Sequence, residues 1–218
     1  VCSSDLCSDA ALFKQIEAYM SKEKEQEKVF HVVLTTTNHP PYSIDVDGMG
    51  FPRAKVKSKL PADIASDEKT LTELGHIWYA DKTMGDFVKQ AQSMYSDTLF
   101  VITGDHSERF SFAKEQDTRT LSSIPCIFYG IGVQQAWFND KSVGNHMQLA
   151  GTLAELLAPE GFTYSAMLPS MFESNFAFNH RLFAQNGEIK EQKNIDAQLL
   201  KEINAMRKVA AWRVQKGN

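Results

Sequence analysis

The sequence predicts an α/β sandwich in which a largely parallel sheet is flanked by helices. Two observations carry that reading. Three short apolar runs, "VFHVVLTTT" (29–37), "TLFVITG" (98–104) and "IPCIFYGIG" (124–132), lack polar alternation, as strands covered on both faces do. Around them, apolar residues recur at helical spacing in four further stretches.

Taken in order, Asp9 is placed to cap a helix over 10–29, with Leu12, Ile16 and Tyr19 or Met20 on one face. Its tail, "SKEKEQEK", reads as a solvated charged face. The first apolar run follows, and "NHPPY" ends it, because consecutive prolines cannot continue a central strand. Residues 43–70 mix Gly, Pro and charge with weak periodicity and read as a long excursion. Ile77, Ala80, Met84, Phe87, Val88 and Ala91 define a helix over 73–94. The second run, a polar loop over 107–123 and the third run come next. An apolar helix over 147–158 and a hairpin turning at Asn186-Gly187 follow. A last helix over 196–214 carries Leu199, Ile203, Met206 and Val209 on one face.

The chain has 218 residues, 43% hydrophobic, with a formal net charge of −4. A domain of that size buries roughly 70% of its unfolded surface and needs no covalent staple. No basic field points to nucleic acid, and no apolar run is long enough to span a bilayer. Membrane attachment would come only through a segment upstream of Val1. The three cysteines, Cys2, Cys7 and Cys126, form no framework, and Cys126 in its apolar run reads as a buried small hydrophobe. The domain is taken to begin at residue 9, with 1–8 outside it as non-native or disordered chain.

In parallel sheets, ligand sites lie at the carboxyl ends of the strands. Two polar clusters fall there: Thr35 to His39 after the first run, and Asp105 with His106 after the second. A carboxylate and an imidazole together suit a divalent ion. Adjacent residues of an extended chain point apart, so convergence needs a turn, which Gly104 is placed to permit. The plain alternative is an aspartate capping the next turn beside an exposed histidine. His39 has several open roles: metal ligand, anion contact, acid or base, or a loop histidine bonded to backbone. Arg109 suits a phosphate or sulfate, or is an ordinary exposed arginine. His146 fits the first turn of a helix, and His31, His76 and His180 read as structural. No GxSxG elbow, P-loop, dinucleotide fingerprint or HExxH is present.

Four blocks, "VVLTTTNHPPYSI", "YADKTMGDFVKQAQSMYSDTLFVITGDHSER", "IPCIFYG" and "NHMQLAGTLAELL", together resemble the sulfatase family of the alkaline-phosphatase superfamily. The nearest likeness is to its lipoteichoic-acid-synthase-like branch, the phosphoglycerol transferases. The blocks match in order and spacing over roughly residues 9 to 172.

That resemblance implies an alkaline-phosphatase-like core, incomplete here, and one divalent ion (Mn, Zn, Mg or Ca). It assigns Asp105 and His106 as metal ligands and His39 to the anionic end of the substrate, where Arg109 is a further candidate on its own charge. A late block usually like "SHxDLxPTL" is here "GNHMQLAGTL", with Gln148 in place of Asp and Gly151 in place of Pro. No stretch matches the family's nucleophile or its acidic ligand, both of which lie upstream of these blocks in relatives. The chain is therefore expected to be the C-terminal part of a catalytic domain, without a competent site of its own. The implied activity is transfer of phosphoglycerol or phosphoethanolamine headgroups. The alternatives are hydrolysis of a sulfate or phosphate ester, and a non-catalytic remnant that binds anions or a partner. The implied partner is an anionic headgroup or ester, and the implied location is extracytoplasmic and membrane-anchored in the whole protein.

Overall fold

Seven α-helices and five β-strands, with two short 3-10 turns, make up the described part of a computed structural model, residues 8–22, 28–107, 117–139 and 141–216. They are helices α1 (Asp9–Met20), α2 (Arg53–Lys57), α3 (Ala62–Ala65) and α4 (Glu68–Met94), strand β1 (Leu99–Thr103), α5 (Thr118–Ser122) and β2 (Cys126–Gly130). After these come α6 (His146–Leu157), β3 (Phe176–Phe178), β4 (Leu182–Gln185), β5 (Glu188–Glu191) and α7 (Ala197–Lys216). They divide into two units, one of Val1–Gln116 with Ile124–Gly132, the other of Asp117–Ser123 with Val133–Asn218.

In the first unit, α4 is the spine. Asp67 caps it, accepting the Lys69 N–H, so the helix begins five residues before the periodicity alone suggests. Tyr79, outside the predicted stripe, packs with Val46 and Phe51, and Ala10, Ile44, Val56, Leu74 and Trp78 lean on that cluster. Phe13 of α1 stacks on Phe87 of α4 at 4.6 Å. The expected excursion over 43–70 is thus partly ordered. Val46 and Phe51 anchor it, and Arg53 of α2 reaches back to Asp47.

The sheet departs from expectation. β1 and β2 pair antiparallel, from Leu99↔Gly130 to Thr103↔Cys126, and no parallel pair exists among the described residues. An apolar run reports how deeply a strand is to be covered, but its direction depends on which neighbour it pairs with. Residues 28–36 form no ladder, although their composition is that of a strand. Val29, Phe30, Val32 and Leu34 are 48, 70, 83 and 79% exposed. Cys126 is exposed as well, because a two-stranded ribbon leaves a face open. Gly130 closes β2 at φ +130°, where a Cβ would lie 2.1 Å from the Thr98 carbonyl oxygen.

In the second unit, β3, β4 and β5 form an antiparallel meander. Its turn is the expected Asn186-Gly187, both at positive φ, 51° and 83°, as a tight primed turn demands. Phe178 and Phe183 of this sheet pack with Leu168 and with Ile203 of α7, and Leu199 and Met206 join from the predicted face of that helix. α6 opens with a reciprocal capping box between Asn145 and Gln148.

Candidate functional site

β1 carries its chain outward to Thr103, and the backbone bends at Asp105. Asp105 Oδ1 accepts the His106 N–H at 2.9 Å, a bond to the next residue that folds the carboxylate back over its neighbour. Oδ2 then lies 3.5 Å from His106 Nε2. Two ligands about 2.1 Å from one tetrahedral ion stand about 3.4 Å apart, so this spacing matches donors that share a cation. His106 is 41% and Asp105 79% exposed, which leaves the pair open to solvent. Among the described residues no group of three or more His, Cys, Asp or Glu side chains is placed to hold a metal. The pair offers two donor atoms, and a metal site built on it would need further ligands.

Gly104 does not act as expected. Its φ is not in the left-handed region, and a Cβ there would make only ordinary contacts with Ile124 and Pro125. The Asp105 side chain caps the bend through its bond to the His106 N–H. Arg109 lies outside the described residues.

His39 stands exposed on a loop held at both ends. At the start, Asp9 Oδ1 accepts the N–H groups of Thr36 and Thr37 at 3.0 and 3.1 Å. The Thr37 hydroxyl oxygen in turn accepts the Asp9 N–H. At the far end, His76 Nε2 accepts the Ile44 N–H at 3.2 Å, while its Nδ1 donates to the Thr72 carbonyl. Between the two anchors, the His39 N–H closes a turn onto Thr36 O, and Nδ1 sits 2.8 Å from the Pro40 carbonyl. A carbonyl only accepts, so Nδ1 carries the proton and Nε2 is the ring atom presented outward.

Sequence reading missed the role of Asp9. Its position predicts a cap for α1, but Ser8 is the N-cap, accepting the Ala11 N–H. The serine one residue earlier was the signal, since it offers the helix a cap and frees the carboxylate. His76, at 1% exposure with both ring nitrogens bonded, has the structural role expected of it. His146 is the first helical residue of α6. Gln148 is fully buried and donates to Pro169 O and Ser174 Oγ.

Away from these loops, Arg53 grips Asp47 through Nε and Nη2, and these hydrogen bonds hold the Asp47 carboxyl below the usual carboxylate range. The Thr70 hydroxyl does the same for Asp67. The first pair ties the excursion to itself, and Arg53 reaches α4 through Glu68 at 3.2 Å.

The Sulfatase family model matches residues 1–159. No curated protein matches the chain. Among solved structures, the lipoteichoic acid synthase LtaP from Listeria monocytogenes superposes with a TM-score of 0.66 at 17% identity, over 96% of this chain and 59% of that one. The chain therefore spans less than two thirds of the LtaP chain while sharing its fold. With the family model covering well over half its length, the chain belongs to the sulfatase family.

Proposed function

We propose that the chain is the C-terminal portion of the catalytic domain of a metal-dependent transferase. Its substrates would be phosphoglycerol- or phosphoethanolamine-type headgroups, and its place outside the cytoplasm. The observation that carries this is the Asp105–His106 pair at the end of β1, with its donors 3.5 Å apart in a sulfatase-family chain. The LtaP-like fold and the "TTTNHPPY" block favour the transferase over the hydrolase. The exposed apolar run Val29, Phe30, Val32 and Leu34 supports a larger domain, because such a strip is normally covered. No described helix is long and apolar enough to cross a membrane.

Asp105 and His106 would hold the ion, which when bound supplies charge neutralisation and activates the attacking oxygen. The Asp105 carboxylate also orients the His106 backbone, so the two donors move as one unit. His39 presents Nε2 from a braced loop and, when protonated, donates to an oxygen of the anionic headgroup. The attacking nucleophile would come from outside this chain. Titration calorimetry of Mn²⁺ or Zn²⁺ into the 218-residue chain tests the fragment reading: two donors predict weak binding, and nanomolar affinity refutes it. Headgroup release from phosphatidylglycerol by the whole protein tests the activity, and hydrolysis of a sulfate ester in its place overturns the transferase.

A further inference from the structure

We infer that Asp9 is a positioning residue for His39, an inference that rests on the proposed contact between His39 and the anionic end of the substrate. Asp9 is 1% exposed, yet pairs with none of the cations whose ion pairs are described. A buried carboxylate needs donors, and here they come from the backbone 27 and 28 residues away. Helix capping does not explain it, because Ser8 fills that position.

The geometry links Asp9 to His39 in two steps. The carboxylate takes the N–H groups on both sides of the Thr36 carbonyl, and so sets the planes of two successive peptides. That same Thr36 carbonyl accepts the His39 N–H and closes the turn. The return bond from the Asp9 N–H to the Thr37 hydroxyl locks rotation of the pair. His39 itself is exposed, so its aim is set by the turn rather than by packing. Without the acceptor, the buried Thr37 N–H and the half-buried Thr36 bond lose the Asp9 carboxylate, and the turn loses its origin. The property Asp9 supplies is therefore a pair of acceptor lone pairs, not a charge.

Three variants of the 218-residue chain test this: Asp9→Ala, Asp9→Asn and Thr37→Val. Long-range ¹H–¹⁵N spectra report the His39 tautomer, and amide exchange reports Thr36 and Thr37. In Asp9→Ala, exchange at both amides is expected to accelerate about tenfold or more, with His39 passing from the Nδ1–H form to a mixture of tautomers. Asp9→Asn retains an acceptor oxygen and is expected to restore both signals. If Asp9→Ala does not fold, Thr37→Val is expected to give a smaller change of the same sign. Unchanged His39 signals in Asp9→Ala, or in Thr37→Val where that variant alone folds, overturn the inference. So does an Asp9→Asn spectrum as disturbed as that of Asp9→Ala. Inorganic phosphate added to the unsubstituted chain separates the two readings. A His39 shift that weakens in Asp9→Ala supports both. No His39 shift, with the tautomer change intact, sinks the anion contact and leaves the positioning supported.

Discussion

Nε2 of His76 accepts the backbone N–H of Ile44 at 3.2 Å, across 32 residues of sequence, and so ties the end of the His39 loop to α4. The imidazole is 1% exposed, and Tyr42 sets its ring edge-on at 5.2 Å. His76→Leu keeps the volume and removes the acceptor. The expected cost is about 1–3 kcal/mol, from an N–H left without its partner. Urea unfolding measures it, and faster exchange at the Ile44 amide locates it.

Gly130 and Gly132 both have positive φ, but only Gly130 faces backbone, with Thr98 O 2.1 Å from an added Cβ. Gly132→Ala incurs dihedral strain alone, about 1–2 kcal/mol. Gly130→Ala must also move β1 from β2 and is expected to cost clearly more. Denaturation midpoints of the two variants give the order, and equal midpoints would contradict it.

Asp105→Ala and His106→Ala separate stability from activity. Both side chains are substantially exposed, so the melting temperature of the chain is expected to hold, with changes within about 0.5 kcal/mol. In the whole protein, losing a metal ligand is expected to lower turnover by about a hundredfold or more. Calorimetric melts alongside a headgroup-release assay show whether the two properties part.

Asp47 makes one contribution to stability depend on acid. Hydrogen bonds from Arg53 depress its folded-state pKa below the ordinary 3.8. Its contribution is therefore complete above that unfolded value and disappears as pH falls through the lower folded value. Stability measured from pH 5 down to pH 2 should show the unsubstituted chain exceeding Asp47→Asn at the upper end. The gap should narrow below about pH 3.8.

Cys126 is exposed, but desolvation around its sulfur pushes the thiol up. Native chain at pH 8 is expected to be alkylated at Cys126 more slowly than unfolded chain, with the rates converging as pH rises. Iodoacetamide labelling followed by peptide mass mapping distinguishes Cys126 from Cys2 and Cys7.

Local chemistry is what the amino-acid order by itself determined. The stripe on α4, the strand residues of β1 and β2, the Asn186-Gly187 turn and the face of α7 through Leu199, Ile203 and Met206 all follow from periodicity and turn preference. So does the family, because the spacing of "NHPPY" and "TGDH" is a property of the chain. Tertiary structure alone decided the rest. It turned β1 and β2 antiparallel, left 28–36 without a ladder, and exposed Cys126. It also drew Asp9 away from its own helix end to the amides of Thr36 and Thr37. The physical reason is the same in each case. Periodicity records how a residue repeats against its own backbone, whereas a ladder, a covered face or a buried acceptor needs a partner that sequence spacing does not name.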